Sequence, residues 1–125
     1  MISVTKKQNL SVSITQNEHQ IISDVAESLG GDDLGLNPHE LLEAALGACT
    51  SITVRMYAQR KAWPLEDIKV KVHVVKEGAE NLIMREVELV GNLDQEQKQR
   101  LLEMANKCPI HKFLSTKTTI ETKVI

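Results

Sequence analysis

Aromatic side chains are nearly missing from this chain: Phe113, Trp63 and Tyr57 are the only three in 125 residues. Without a set of rings to stack on bases, the sheets that read single strands and RNA are excluded. Charge of one sign is lacking too, with 17 Asp and Glu against 15 Lys and Arg and a sequence pI near 6.1. No basic face is available for phosphate-driven affinity, so nucleic acid is not an expected partner. No apolar run reaches the roughly 18 residues of a membrane span. The start, Met1-Ile2-Ser3-Val4-Thr5-Lys6-Lys7, has no apolar stretch followed by a small-residue cleavage site. The expectation is a soluble, cytoplasmic protein with no membrane partner. Cysteine is scarce, only Cys49 and Cys108, and in a reducing compartment a bond between them would be transient and chemical rather than structural. The length suits one domain, residues 1–125, or half of an obligate dimer.

The first 26 residues alternate as strands do, with Ile2 and Val4, then Leu10, Val12 and Ile14, a turn near Asn17-Glu18, and Gln20 to Val25. Three short antiparallel strands are predicted. Residues 27–36 carry three glycines and two aspartates and read as a mobile connection. Asn37-Pro38-His39-Glu40 is a helix start: Asn37 fits the N-cap, Pro38 the first helical position, and Glu40 completes a capping-box variant. A long helix follows to about Ala62, and its first half is apolar around nearly the whole circumference, so it must be covered on all sides. The small residues Ala44, Ala45, Gly47 and Ala48 suggest that another backbone approaches closely.

Pro64 stops that helix. Ile68, Val70, Val72 and Val74 then alternate with polar neighbours, and residues 82–90 supply a partner strand with Ile83, Val87 and Leu89 on one face and Arg85 interrupting them. Asp94 caps a second helix ending near Lys107, the chain restarts at Cys108-Pro109, and a last strand is predicted from Thr116 to Val124. Segregated hairpins and helices indicate an α+β fold. One sheet and one helix layer cannot bury a helix that is apolar all round. The expectation is therefore a homodimer whose two long helices pack together under antiparallel sheets.

Chemistry is available at the two cysteines. Cys108 falls where a helix begins, and unpaired amides favour a thiolate there. Cys49 lies in an apolar stretch of the long helix, where a cysteine is inert unless a cation or donor faces it. Core packing is the commoner role for either one alone. His39 and His111 could join the cysteines in a Cys2His2 metal set, but only Cys108 and His111 are close in sequence, so no metal is expected. His39 and Glu40 serve the helix start on this reading, and Arg55 snorkels from the long helix. His39 and Cys49 are about 15 Å apart along one helix, so only a partner subunit could bring them together.

Four motifs carry a family likeness: Asn37-Pro38-His39-Glu40-Leu41-Leu42, Ala44-Ala45-Leu46-Gly47-Ala48-Cys49-Thr50, Thr53-Val54-Arg55-Met56-Tyr57-Ala58, and Cys108-Pro109-Ile110-His111. In these the chain resembles the OsmC/Ohr family of osmotically inducible and organic hydroperoxide resistance proteins, in its less characterised OsmC-like branch. The resemblance spans nearly the whole chain. It implies an intertwined homodimer in which sheets enclose two long central helices, with active sites at the interface. It also implies a thiol peroxidase active in oxidative stress, with no cofactor, in which Cys49 attacks an organic hydroperoxide and Cys108 resolves the sulfenate as a disulfide, reduced in turn by an external dithiol. The family's active members use an arginine from the amino-terminal strands and a glutamate directly after Asn-Pro. Here no arginine precedes Arg55, and His39 stands in the glutamate's place with Glu40 next. Arg55, Arg85, Lys6 or Lys7 are the candidate cations, with Glu40 to orient one. A noncatalytic dimeric module that binds an apolar small molecule or senses redox state is the alternative.

Overall fold

Alternation at the amino end gives an antiparallel meander of β1 (Ser3–Lys6), β2 (Val12–Gln16) and β3 (His19–Ser23), in the order β1-β2-β3. Val4 faces Ile14, and Ile14 faces Ile21 across the sheet. Asn17, at φ 52°, takes the left-handed conformation that a tight turn between β2 and β3 requires. The computed structural model describes residues 1–125. They form two compact units, Met1–Leu42 and Glu43–Ile125.

The connection after β3 is ordered by hydrogen bonds, where the glycines and aspartates alone suggested mobility. The buried Asp24 carboxylate accepts from the N–H groups of Val25 at 2.8 Å and of Asp32 and Leu34 at 3.1 Å. A 3-10 turn spans Glu27–Leu29. Gly31 packs so closely that a Cβ would run into the Val25 carbonyl. Burial works to raise the Asp24 pKa, but the three amides prevail and hold it below the usual value.

Helix α1 (Pro38–Arg60) begins with the capping box: Glu40 N–H donates to Asn37 Oδ1 at 2.9 Å and Asn37 N–H to Glu40 Oε1 at 3.1 Å. It ends two residues before the expected Ala62, which sits at φ 53° in the turn ahead of Trp63-Pro64. Leu46, Thr50, Val54, Tyr57 and Ala58 form its buried stripe. The long hairpin of β4 (Leu65–Lys76) and β5 (Leu82–Gly91) follows, with Val72 opposite Arg85. Next come α2 (Gln95–Ala105), capped by Asp94 with Gln97, and the short α3 (Pro109–Leu114). Val54, Tyr57, Ala58, Ile68, Leu93, Leu101 and Ala105 make the core of this unit. Burying a residue such as Leu101 contributes about 1.5–3 kcal/mol.

One expectation about the strands is corrected. No strand forms over Thr116–Val124; residues 116–125 are irregular, because a strand needs a neighbour for its amides and carbonyls and no strand of this chain pairs with it. Within the chain, a Cβ at Gly47 would meet Val72 Cγ2 at an ordinary 3.5 Å.

Candidate functional site

Pro109 carries no N–H, so the first free amides of α3 are those of Ile110 and His111. Each goes to a sulfur. Ile110 N–H donates to Cys49 Sγ at 3.5 Å, and His111 N–H to Cys108 Sγ at 3.3 Å. Cys108 is the N-cap of α3 and is fully buried, whereas Cys49 on α1 is half-buried; both are free thiols. Residues far apart in sequence thus share one helical turn.

Thr50, one residue past Cys49, points into the core. Its hydroxyl donates to Leu46 O at 2.8 Å, accepts from Arg85 Nη1 at 3.1 Å and lies 3.8 Å from Cys108 Sγ. Arg85 sits on the inner face of β5 because it shares the parity of Ile83, Val87 and Leu89. Its guanidinium also donates to Ala105 O at 3.2 Å and Asn106 Oδ1 at 2.8 Å, so the end of α2 holds it in place. Its partners are a hydroxyl, a carbonyl and an amide oxygen, none of them a carboxylate. Burial pushes the His111 imidazole below its usual value, and the charge of Arg85 pushes the same way.

A cleft of about 330 Å³ opens beside this cluster, walled by Leu46, Leu82, Ile83 and Leu114 and edged by Arg85 and His111. A larger cleft of about 600 Å³ lies at Tyr57, Trp63, Lys61 and Arg100; neither cleft is lined by a thiol, and of the two only the smaller is edged by Arg85 and His111. Arg100 Nε donates to Tyr57 Oη at 3.0 Å and its Nη1 meets Glu103 at 2.8 Å, while Trp63 packs edge-on against the Tyr57 ring. The Arg100 hydrogen bond draws the Tyr57 pKa down, with burial opposing.

The other candidates lie elsewhere. Glu40 is engaged in the cap of α1, and His39 is exposed in its first turn. Arg55 is exposed on α1, about 120° around the helix from Cys49, and so does not face the sulfur within the chain. Glu43 meets the exposed His73 at 3.6 Å. No group of three or more His, Cys, Asp or Glu is placed to hold a metal ion, and no helix is long and apolar enough to cross a membrane. Sequence reasoning noted Arg85 as a break in a strand face and as one of four candidate cations for Cys49, and gave Thr50 no role beyond its place in a motif. The signal was present in the inward parity of a single arginine, but its target was not.

The family model described as OsmC-like protein matches residues 30–123. An OsmC-like protein from Mycoplasma pneumoniae superposes with a TM-score of 0.79 at 18% identity, over 92% of this chain and 86% of that one. An organic hydroperoxide resistance protein from Elizabethkingia anophelis, with thiocyanate bound, gives 0.64 at 23% identity, over 90% and 84%. A third likeness is to the organic hydroperoxide resistance protein OsmC from Legionella pneumophila, at 0.63 and 22% identity, over 91% and 87%. At these identities the likenesses establish the α+β fold. No curated protein matches the chain in sequence.

Proposed function

The chain belongs to the OsmC-like protein family, and from that premise we propose that it is a thiol-dependent hydroperoxide reductase acting on organic hydroperoxides. The carrying observation is the placing of Cys49 and Cys108 on consecutive amides of one helical turn. Cys49 is the more open of the two and attacks the terminal peroxide oxygen. The O–O bond breaks, the alcohol leaves after taking a proton, and Cys49 becomes a sulfenic acid. Cys108 then attacks that sulfur, a disulfide forms and water leaves. An external dithiol restores both thiols by exchange. The apolar wall of the neighbouring cleft suits an organic group better than hydrogen peroxide. Organic hydroperoxide resistance, the role named for two of the structural neighbours, agrees with this chemistry.

The working form on this reading is a homodimer. Ala45, Ala48, Ile52 and Met56 share one side of α1 and are exposed, with Ile52 and Met56 each at 55%. By helical geometry Cys49 lies at the border of that side, so a second copy packed there would close the open flank of the sulfur. Fully reduced protein is to be mixed with a small excess of cumene hydroperoxide, in parallel with hydrogen peroxide, and its thiols titrated under denaturing conditions. Rapid loss of both thiols, faster with the organic peroxide, is the expected result. Survival of both thiols in folded protein would leave the noncatalytic binding module as the better account.

A further inference from the structure

The Thr50 hydroxyl owns one proton and two lone pairs. Its proton goes to Leu46 O and one lone pair takes the Arg85 Nη1–H. Cys108 Sγ lies 3.8 Å from the same oxygen, and with the Thr50 proton given to Leu46 O the donor assigned to that contact is the Cys108 S–H. Cys49 has no comparable support: its hydrogen bond is the one from Ile110 N–H. The cation of the site is therefore wired to the second thiol and not to the first.

We infer that Arg85, acting through Thr50, is the positioning device for the resolving step, holding Cys108 with its proton toward Thr50 while His111 N–H fixes the sulfur. This rests on the two-thiol reading above. In that step Cys108–SH meets Cys49–SOH. The S–S bond forms, the S–O bond breaks, and the Cys108 proton leaves with the hydroxyl as water. The Cys108 sulfur is oxidised by one unit and the sulfenate sulfur reduced by one. As the proton departs, negative charge gathers on a fully buried sulfur. Arg85 stands one hydroxyl away to balance it, and no carboxylate among its partners offsets its charge. A guanidinium needed only to cap α2 would do so through Ala105 O and Asn106 without reaching Thr50.

The test separates the two steps. Thr50→Val, Thr50→Ser, Arg85→Met and Arg85→Lys are compared with the unaltered protein, each checked for an intact thermal transition. The oxidants are cumene hydroperoxide and, separately, diamide, which forms a sulfenyl hydrazide on one thiol that the second thiol then displaces, releasing the hydrazine. The first step is read by trapping the Cys49 sulfenate with dimedone, and closure by the appearance of the Cys49–Cys108 disulfide. Thr50→Val and Arg85→Met are expected to slow closure about tenfold or more with both oxidants, and Thr50→Val to keep the first step within roughly twofold. Thr50→Ser, which keeps the hydroxyl, is expected to restore closure, and Arg85→Lys to restore part of it. Closure at the unaltered rate in folded Thr50→Val and Arg85→Met would overturn the inference, as would slowing confined to the first step. If the unaltered protein ignores the hydroperoxide but closes with diamide, the peroxidase reading fails while the role of Arg85 and Thr50 is still measured. If it closes with neither, the inference fails as well.

Discussion

Arg100 and Arg85 are the two arginines that bond across elements of the second unit, and they are held in opposite ways. Arg100 pairs with the Glu103 carboxylate and the Tyr57 hydroxyl, with its guanidinium carbon 5.6 Å from the centre of the Tyr57 ring. Its charge is answered where it stands. Arg85 is bound by neutral oxygens, and one of them, the Thr50 hydroxyl, lies 3.8 Å from the Cys108 thiol. One arginine ties helix to helix. The other carries a positive charge, bound by neutral oxygens, to within one hydroxyl of the buried Cys108 sulfur. The larger cleft lies at the first, and the Thr50 hydroxyl and buried Cys108 thiol lie at the second.

The largest effect is expected from loosening α2, which carries Arg100 and whose end accepts from Arg85. Leu101→Ala, at a residue of α2 with no exposed surface in the core, is expected to cost about 2–5 kcal/mol in denaturant unfolding. A loss well under 1 kcal/mol would mean that α2 is not packed as described. Next, Arg100→Met should lower the unfolding temperature by a few degrees and leave disulfide closure unchanged, the reverse of what Arg85→Met is expected to do. Equal effects of the two changes on closure would erase the distinction.

Smaller effects sharpen it. His111 has its pKa below the usual 6.5 because burial, and then Arg85, oppose its charging. The unfolded chain therefore takes up this proton more readily, and the contribution of His111 to stability is complete above pH 6.5 and is lost as pH falls through the folded value. Unfolding temperatures measured from pH 7.5 downward should fall below pH 6.5, and His111→Gln should flatten that part of the curve. Asp24 acts lower on the scale, since its pKa is held under 3.8 and its contribution disappears only as pH drops below that value. The gentlest change is Gly47→Ala, expected to stabilise α1 by about 0.5–1 kcal/mol, because the added methyl meets Val72 at ordinary contact distance. Destabilisation there would point to a close approach that the chain alone does not make.

What could be read from the residues was local. The Asn37-Pro38-His39-Glu40 cap, the Asp94–Gln97 capping box, the alternation of β4 and the restart at Cys108-Pro109 all depend on neighbours within a few positions, and each is present in the fold. The α+β class followed from their order. What could not be read was where inward-facing polar groups find their partners. Arg85 meets Thr50 across 35 positions and Arg100 meets Tyr57 across 43, distances over which spacing carries no information. The Asp24 carboxylate turned a glycine-rich connection into a bonded one, a result that composition alone does not signal. The strand predicted from Thr116 had the right alternation, but a strand is a property of two segments and the chain supplied only one.

The most direct test of the account is a peptide map of protein oxidised with one equivalent of cumene hydroperoxide and quenched by acid. The account predicts a disulfide between Cys49 and Cys108 within one chain, formed in step with loss of the hydroperoxide. Recovery of both cysteines as free thiols from folded protein, or linkage only between separate chains, would contradict it.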